Sequence, residues 1–470
     1  MKIFKVIEKF LCFKKDRVID PSFLTFFKFF RTFLGMKNPV KSRLQAFFCF
    51  LGQPKAVNVA HPLRNRWLHL NFRNFQEVRK MKFNKYFLTE EEMMVKELAH
   101  QFSDEVVAKT VQELDEKHLF PEEEVKQCGE MLFLGVEIPE EYGGAGLNCL
   151  AHCLVMEELA RHSSSLASII DAHSGLGTQP LLKAGTEEQK QKYLVPAAQG
   201  QNLCAFALTE PQSGSDSAGI KTKAVLDEKT NEWVINGTKA FITNIHYAKT
   251  YLVAAMTAPE LGTKGISCFI VPADTPGLFI GKPEQKMSNH SSFSGEVSFN
   301  DVRIPKENLL GELNKGFPLF MKCVDEGRLA ISAVAIGMAQ GVLERATRYA
   351  QQRVAFGKPI SKYQGISFKL AEMAADIEAS RMMLYHVCRM KEAGLPFAKE
   401  ATMVKMLSSE MCVNVCDKGV QILGGYGLCN EYDLERMYRD AKLLTIGEGT
   451  SEICRMVISG HVLKEYPPVQ

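Results

Sequence analysis

Two stretches of helical periodicity enclose one stretch of β-rich runs, and that segregation limits the folds open to this 470-residue chain. From Thr89 to about Leu203 the pattern is helical. Thr89 and Glu92 form a T-x-x-E capping box at its start, with Leu88 and Met93 spaced as a hydrophobic staple. Thr186 and Gln189 form a second box, and the Gly-rich EEYGGAGLN (140–148) reads as a loop between helices. From about Cys204 to Leu310 the chain breaks into LCAFAL, IKTKAVL, EWVING, TYLVAAM, ISCFIV and GEVSF, with Asn236-Gly237 as a hairpin signal. From Phe317 onward Leu370, Met373, Ile377 and Leu384 return to a helical period, and Glu344 with Arg348 makes an i,i+4 pair. Helices, then strands, then long helices argue for an α+β multidomain chain with separate all-α and all-β domains, not a βαβ sheet. The expected boundaries are 1–80 for a leader or extension, 81–203 for an N-terminal helical domain, 204–310 for a middle β domain and 311–470 for a C-terminal helical domain.

The net charge of +3 hides an asymmetry. Residues 1–80 hold 17 Lys and Arg against 4 Asp and Glu, together with 14 of the 30 Phe; the remainder holds 40 against 50. The main body is therefore mildly acidic and gives no electrostatic sign of nucleic acid binding. In residues 23–34, FLTFFKFFRTFL, the phenylalanines fall at helical spacing beside Lys28 and Arg31. That pattern suits a membrane surface or a cleavable targeting segment, but it is too short and too charged to span a bilayer. The other reading is an upstream extension outside the working protein, with Met81 as the natural start. The 13 Cys include no C-x-x-C pair, and the closest spacings are Cys149/Cys153 and Cys412/Cys416. The expectation is reduced, mostly buried thiols and no metal site.

No Rossmann or P-loop fingerprint is present; GLGTQP (175–180) lacks the full glycine set and a preceding strand. Five other segments stand out. FALTEPQSGSD (206–216) ends a β-run in a turn whose Ser213-Gly214-Ser215 amides can meet phosphate oxygens. AFITN (240–244) puts an aromatic beside a threonine. RVAFGKPI (353–360) is a Gly-Lys-Pro connection, QILGGYG (421–427) a helix stop, and GEGTSEI (447–453) a carboxylate between glycines ahead of a helix. Taken singly, each has an ordinary reading: a surface turn, a core strand, an inter-helix link, a C-cap, and an acid favouring a helix dipole. The small residues of DEGRLAISAVAIGMAQG (325–341) likewise read as a close helix–helix contact.

Taken together, in this order and spacing, ALTEPQSGSD, FITN, RVAFGKPI, QILGGYG and GEGTSEI resemble the acyl-CoA dehydrogenase family, over about Leu88 to Leu463, and most of all its short-chain, butyryl-CoA type members. The resemblance implies an N-terminal helical domain, a middle β-barrel-like domain and a C-terminal four-helix bundle, with FAD held between the last two in a homotetramer. It implies that Phe206, Ala207, Leu208, Thr209 and Ser215 line the flavin, that Phe241, Ile242 and Thr243 pack on it, and that Thr450, Ser451 and Glu452 approach it from a helix start. Arg353, Gln364 and the run Gln421, Ile422, Leu423, Gly424 and Gly425 are implied to reach the FAD of a neighbouring subunit. Ser215, Asp325, Glu326, Gly327, Arg328 and Gly449 are implied to meet the acyl-CoA. The family usually has Trp where Phe241 stands.

The resemblance also assigns Glu448. In the family reaction a carboxylate takes a proton from the carbon beside a thioester carbonyl, while the next carbon gives a hydride to flavin N5. Electrons then pass to an electron-transferring flavoprotein. One branch of the family keeps its acid at the position of Gly327, so the base falls to Glu448 here. Flanking glycines let a thin substrate pass close, and the Glu448 N–H is expected to meet the thioester oxygen. The family usually has an aromatic residue where Gly447 stands, which leaves chain length open. An enoyl-CoA reductase, an oxidase-like enzyme reoxidised by oxygen, or a flavin-less binding relative would share the fold. The setting implied is the cytoplasm of a bacterium, or the mitochondrial matrix if the leader is a targeting segment.

Overall fold

The computed structural model describes residues 87–468, so the readings made on residues 1–80 and on Met81 lie outside the described residues. Helix α1 (Glu90–Phe102) starts where the capping box put it. The Thr89 hydroxyl accepts from the Glu92 N–H at 3.2 Å, and the Glu92 carboxylate accepts from the Thr89 N–H at 2.7 Å. It continues through α2 (Ala108–Glu116), α3 (Glu122–Glu130), α4 (Cys149–Ala160) and α5 (Ser164–Asp171). All twelve residues of α4 are buried, because CLAHCLVMEELA is apolar around most of its circumference. Its two acids are tolerated because each is paired. Glu157 meets Lys96 at 3.1 Å and Arg381 at 3.0 Å, and Glu158 meets His100 at 2.9 Å. Short helices α6 (Gln179–Ala184), α7 (Glu187–Gln189) and α8 (Val195–Ala198) close the region, α7 on the second capping box.

The β region is one sheet in the order β6-β7-β3-β2-β4-β5-β8, with β1 beside β4. Its strands are β1 (Leu203–Ala207), β2 (Lys223–Asp227), β3 (Glu232–Thr243), β4 (Ala248–Met256), β5 (Ile266–Pro272), β6 (Leu278–Pro283), β7 (Ser294–Pro305) and β8 (Leu309–Leu310). Strands β1 and β2 run parallel to β4 and the other pairs are antiparallel, so the sheet is mixed. The hairpin expected at Asn236-Gly237 is not there, since β3 runs straight through it with a register shift against β7. A Cβ on Gly237 would lie 2.4 Å from Thr222 Oγ1, so the glycine serves a bulge and a close backbone approach.

The C-terminal region contains α9 (Gly316–Gln352), a small hairpin of β9 (Val354–Ala355) and β10 (Lys358–Pro359), then α10 (Gln364–Glu392), α11 (Ala398–Leu423), α12 (Leu434–Leu444) and α13 (Ser451–Glu465). Helix α9 is long and apolar enough to cross a membrane, yet 78% of its apolar window is buried inside the protein. Its small residues allow that burial. A Cβ on Gly337 would lie 2.0 Å from the Glu157 carbonyl oxygen, and one on Gly341 would lie 2.2 Å from that of Arg161. Helices α9 and α4 therefore cross with their backbones in contact. A second junction forms at Asp440 of α12, whose buried carboxylate accepts from the Ser164 hydroxyl at 2.8 Å, the Asn289 N–H at 2.7 Å and Arg436 at 3.2 Å. It ties the three regions together at one point. Replacing Gly337 by Ala forces the two backbones apart and is expected to cost about 1–3 kcal/mol, read as a lower midpoint in chemical denaturation.

Candidate active site

The β1 exit and the end of β3 form one edge of the site. The Ala240 N–H donates to the Thr209 carbonyl at 2.9 Å, which sets FALT against AFIT. Phe206 is half-buried against Phe320, with ring centroids 4.6 Å apart. The side chains of Ala207, Leu208 and Ile242 are buried, so those residues can offer a ligand only their main chain. Phe241 differs: it sits in a second bulge of β3, at φ +56°, and is 66% exposed. An aromatic residue held in the left-handed region with its ring in the open is a strained arrangement, and such strain gathers at ligand sites. Thr243 shares a hydrogen bond with Ser294 at 3.2 Å.

The loop after Thr209 is held by Glu210. Its carboxylate accepts from the Lys221 N–H at 2.6 Å, the Thr222 N–H at 3.0 Å and the fully buried Lys239 ammonium at 2.7 Å. Lys239 also donates to the Leu208 carbonyl at 3.0 Å. Burial pushes Lys239 down to about 8. Burial opposes ionisation of Glu210 too, but the Lys239 charge and these donors hold it at about 2. The pair is thus ionised at neutral pH. It fixes a loop whose tip leaves Ser215 exposed and nothing within 4 Å of a Cβ on Gly214.

Glu448 lies two residues before the α13 cap, Thr450, whose hydroxyl accepts from the Ile453 N–H at 3.3 Å. It is therefore outside the helix, which removes the reading of a first-turn acid on a helix dipole. Its φ is +56° and Oε2 is buried with no donor on it. A Cβ on Gly327 would lie 2.8 Å from that oxygen, so the bare face of α9 is what admits the carboxyl. Gly449, at φ +99°, needs to be glycine; a Cβ on Gly447 would meet only the Leu443 carbonyl oxygen, at 3.7 Å. The expectation that both flanking glycines relieve clashes thus holds on the C-terminal side alone. Burial raises the Glu448 carboxyl above its ordinary range, against the opposing influence of the neighbouring Asp171 side chain, Lys405 and Arg328. Both cations are engaged elsewhere. Arg328 donates to Asp325 and Thr402, each at 2.9 Å, and reaches the Glu448 carbonyl at 3.4 Å; Lys405 donates to the Gly449 carbonyl at 2.6 Å. Glu326 turns away into ion pairs with Lys183 at 2.8 Å and Lys391 at 3.2 Å.

A third group of expected residues converges on a groove of ≈ 460 Å³ where α9 ends and α11 stops. Arg353 and Gln421 to Gly425 line it, and the Arg353 guanidinium stands 5.7 Å from the Tyr426 ring centre. Ile422 and Leu423 have buried side chains, whereas Gly424 and Gly425 are open. Gln364, the first residue of α10, is exposed and is not among the groove's lining residues. Ser451 is buried with an unpartnered hydroxyl, and Glu452 is exposed.

Four groups carry no motif in the sequence. Asp171 ends the apolar run of α5 and is buried, with Glu448 as its charged neighbour; an acid closing SLASII was the available signal. Lys239, a cation inside a core strand, was another. His173 is fully buried and accepts the Cys204 N–H at 2.9 Å, linking the Ala172–Gly177 turn to β1; burial pushes it down to about 4, so it is neutral. Cys388 also joins Cys149 and Cys153, the three sulfurs lying within 4.8 Å of one another, which no sequence spacing indicates.

A helical region, a mixed β region and a helical bundle, with a glycine-flanked acid facing a glycine of the longest helix, define a class. The chain belongs to the acyl-CoA dehydrogenase family, which is FAD-dependent. It matches the N-terminal domain over 89–201, the middle domain over 205–302 and the C-terminal domain over 314–463. It is 42% identical to the mitochondrial short-chain specific acyl-CoA dehydrogenase of Rattus norvegicus, over 81% of this chain and 92% of that one. It is also 42% identical to an acryloyl-CoA reductase (NADH) of Anaerotignum propionicum, over 82% and 98%. Among solved structures it is similar to butyryl-CoA dehydrogenase of Megasphaera elsdenii (TM-score 0.79, 41% identity, 82% and 100% covered). A chain from work on the electron transferring flavoprotein of Acidaminococcus fermentans gives TM-score 0.79 at 42% identity, covering 80% and 99%. An acyl-CoA dehydrogenase of Bacillus anthracis complexed with FAD gives 0.77 at 35%, covering 82% and 68%.

Replacing Lys239 by Met leaves the Glu210 carboxylate buried without its cation. The expected cost is about 3–5 kcal/mol, measured by chemical denaturation, with loss of bound flavin at lower denaturant than wild type.

Proposed function

We propose that this chain oxidises short-chain acyl-CoA thioesters to 2,3-trans-enoyl-CoA, with Glu448 as the base. The observation that carries the reading is the Glu448 carboxyl, held in a strained backbone conformation over the bare face of Gly327. Raised by burial, it is a stronger base than a solvated carboxylate, suited to removing the proton beside the thioester carbonyl. No hydrogen bond takes up the Glu448 N–H among the described residues, which leaves it for the thioester oxygen as charge develops there. Arg328 and Lys405, by holding the carbonyls of Glu448 and Gly449, keep that turn in place. Asp325 and Arg328 would meet the CoA portion of the substrate, with Ser215 and Gly449.

The residues fit a flat, phosphate-bearing cofactor: an exposed phenyl ring at Phe241, a loop with an open Gly214, and a groove with open Gly424 and Gly425 beside Arg353. FAD, when bound, supplies the hydride acceptor. Phe206 to Thr209, Ser215, Phe241 to Thr243 and Thr450 to Glu452 would hold it. Arg353, Gln364 and Gln421 to Gly425 would meet the FAD of another copy in a homotetramer. Phe356, 97% exposed at the tip of the β9–β10 hairpin, supports such an assembly. Electrons would pass to an electron-transferring flavoprotein in fatty acid β-oxidation, in bacterial cytoplasm or the mitochondrial matrix. A second reading, reduction of a short enoyl-CoA, is favoured by the acryloyl-CoA reductase relative.

Replacing Glu448 by Gln is expected to leave the protein yellow and to lower kcat/KM by at least about 10²-fold, since only the proton acceptor goes. Flavin bleaching by butyryl-CoA at the wild-type rate would end this assignment. Anaerobic stopped-flow with butyryl-CoA and crotonyl-CoA, with flavoprotein acceptor or NADH, separates the two directions: rapid bleaching by butyryl-CoA with acceptor-dependent recovery is expected. A profile over straight acyl-CoAs should peak at short chains.

A further inference from the structure

Asp171 and Glu448 reach the same spot from different parts of the chain. Each has a buried oxygen, Asp171 Oδ1 and Glu448 Oε2, that receives no N–H or O–H from any donor among the described residues. Each oxygen also lies over a glycine. A Cβ on Gly175 would fall 2.1 Å from Asp171 Oδ1, and a Cβ on Gly327 would fall 2.8 Å from Glu448 Oε2. The two glycines sit at one junction: the Cβ position on Gly175 is 3.8 Å from Ala330 Cβ of α9, and that on Gly327 is 2.8 Å from the Leu176 side chain. They make room for two carboxyls that interact directly. The charged groups facing the pair are few. Arg328 of α9 and Lys405 of α11 stand near Glu448, but their hydrogen bonds go to main-chain oxygens, Asp325 and Thr402, not to its carboxylate. Among the described residues, the one charged group acting on Asp171 is Glu448 itself.

Two acceptors cannot face each other in a buried site unless a proton lies between them. We propose that Asp171 stays protonated and donates its hydroxyl hydrogen to the Glu448 carboxylate, so that it orients the base and keeps it ionised at neutral pH. The asymmetry follows from the surroundings. Asp171 is buried without a cation, and burial followed by the Glu448 charge pushes it well above the ordinary carboxylate range. Glu448 has Lys405 and Arg328 nearby to favour its charge. Asp171 is a positioning residue: it acts on substrate only through Glu448, and its proton stays where it is during turnover. The inference rests on the reading of Glu448 as the base.

The test uses the FAD-loaded full-length protein. A carboxylic acid absorbs in the C=O stretching region apart from carboxylates, so the wild-type holoenzyme at a pH of about 7.5, roughly three units above ordinary carboxylate titration, should show a protonated-carboxyl band that Asp171→Asn removes. In the pH profile of kcat/KM, Asp171→Ala takes away the donor, and the acid limb should move to higher pH by about one unit. Asp171→Asn still donates an N–H, so its acid limb should stay near that of wild type. Equal movement of the acid limb in the two variants, no movement in Asp171→Ala, or a carboxyl band that survives in Asp171→Asn would each overturn the proposal. Glu448→Gln separates this from failure of the underlying reading. If that variant is inactive while the Asp171 variants show no such pattern, only the present inference falls.

Discussion

The constraint on which the site depends is the backbone contact between helices α9 and α4. Gly337 and Gly341 leave no room for a methyl group against the carbonyls of Glu157 and Arg161. That contact fixes the rotation and height of α9 relative to the N-terminal helices. Gly327 and Arg328 lie ten and nine residues before Gly337 on the same rod, about 15 Å along its axis. The face that admits the Glu448 carboxyl is thereby positioned from a distance, and α5 and its Asp171 belong to the helical region against which α9 is pressed. The paired acids of α4 add to this rigidity, because Glu157 is gripped by Lys96 from α1 and Arg381 from α10.

Much of the architecture could be read from local signals, because those signals are local in cause. Thr89 with Glu92 and Thr186 with Gln189 cap their own helices through hydrogen bonds three residues apart, so four letters suffice. Gly337 and Gly341 were legible as a helix contact for the same reason: small residues at helical spacing have few other uses. Asn236-Gly237 was misread because a sequence shows that the backbone is free to bend but not what approaches it. Thr222, fifteen residues earlier, decides that β3 bulges instead of turning back.

The site divides in the same way. Glu448 could be found because its glycines, and the four distant segments that accompany it, form a pattern in one dimension. Asp171 shows in the sequence only as an acid closing an apolar run; its significance arises when α5, α9 and the turn before α13 converge. Lys239 was hidden by its setting in a strand, where a cation reads as an edge residue until Glu210 is seen to meet it. Cys388 joins Cys149 and Cys153 across more than two hundred positions, a separation at which spacing carries no information.

The bare face at Gly327 makes position 327 and the Glu448 carboxyl neighbours in one small volume. A side chain at 327 would push aside both the Glu448 carboxyl and the Leu176 methyl that now lie 2.8 Å from its Cβ position. The seat of the acid is thus set as much by what α9 lacks as by the turn that carries the acid.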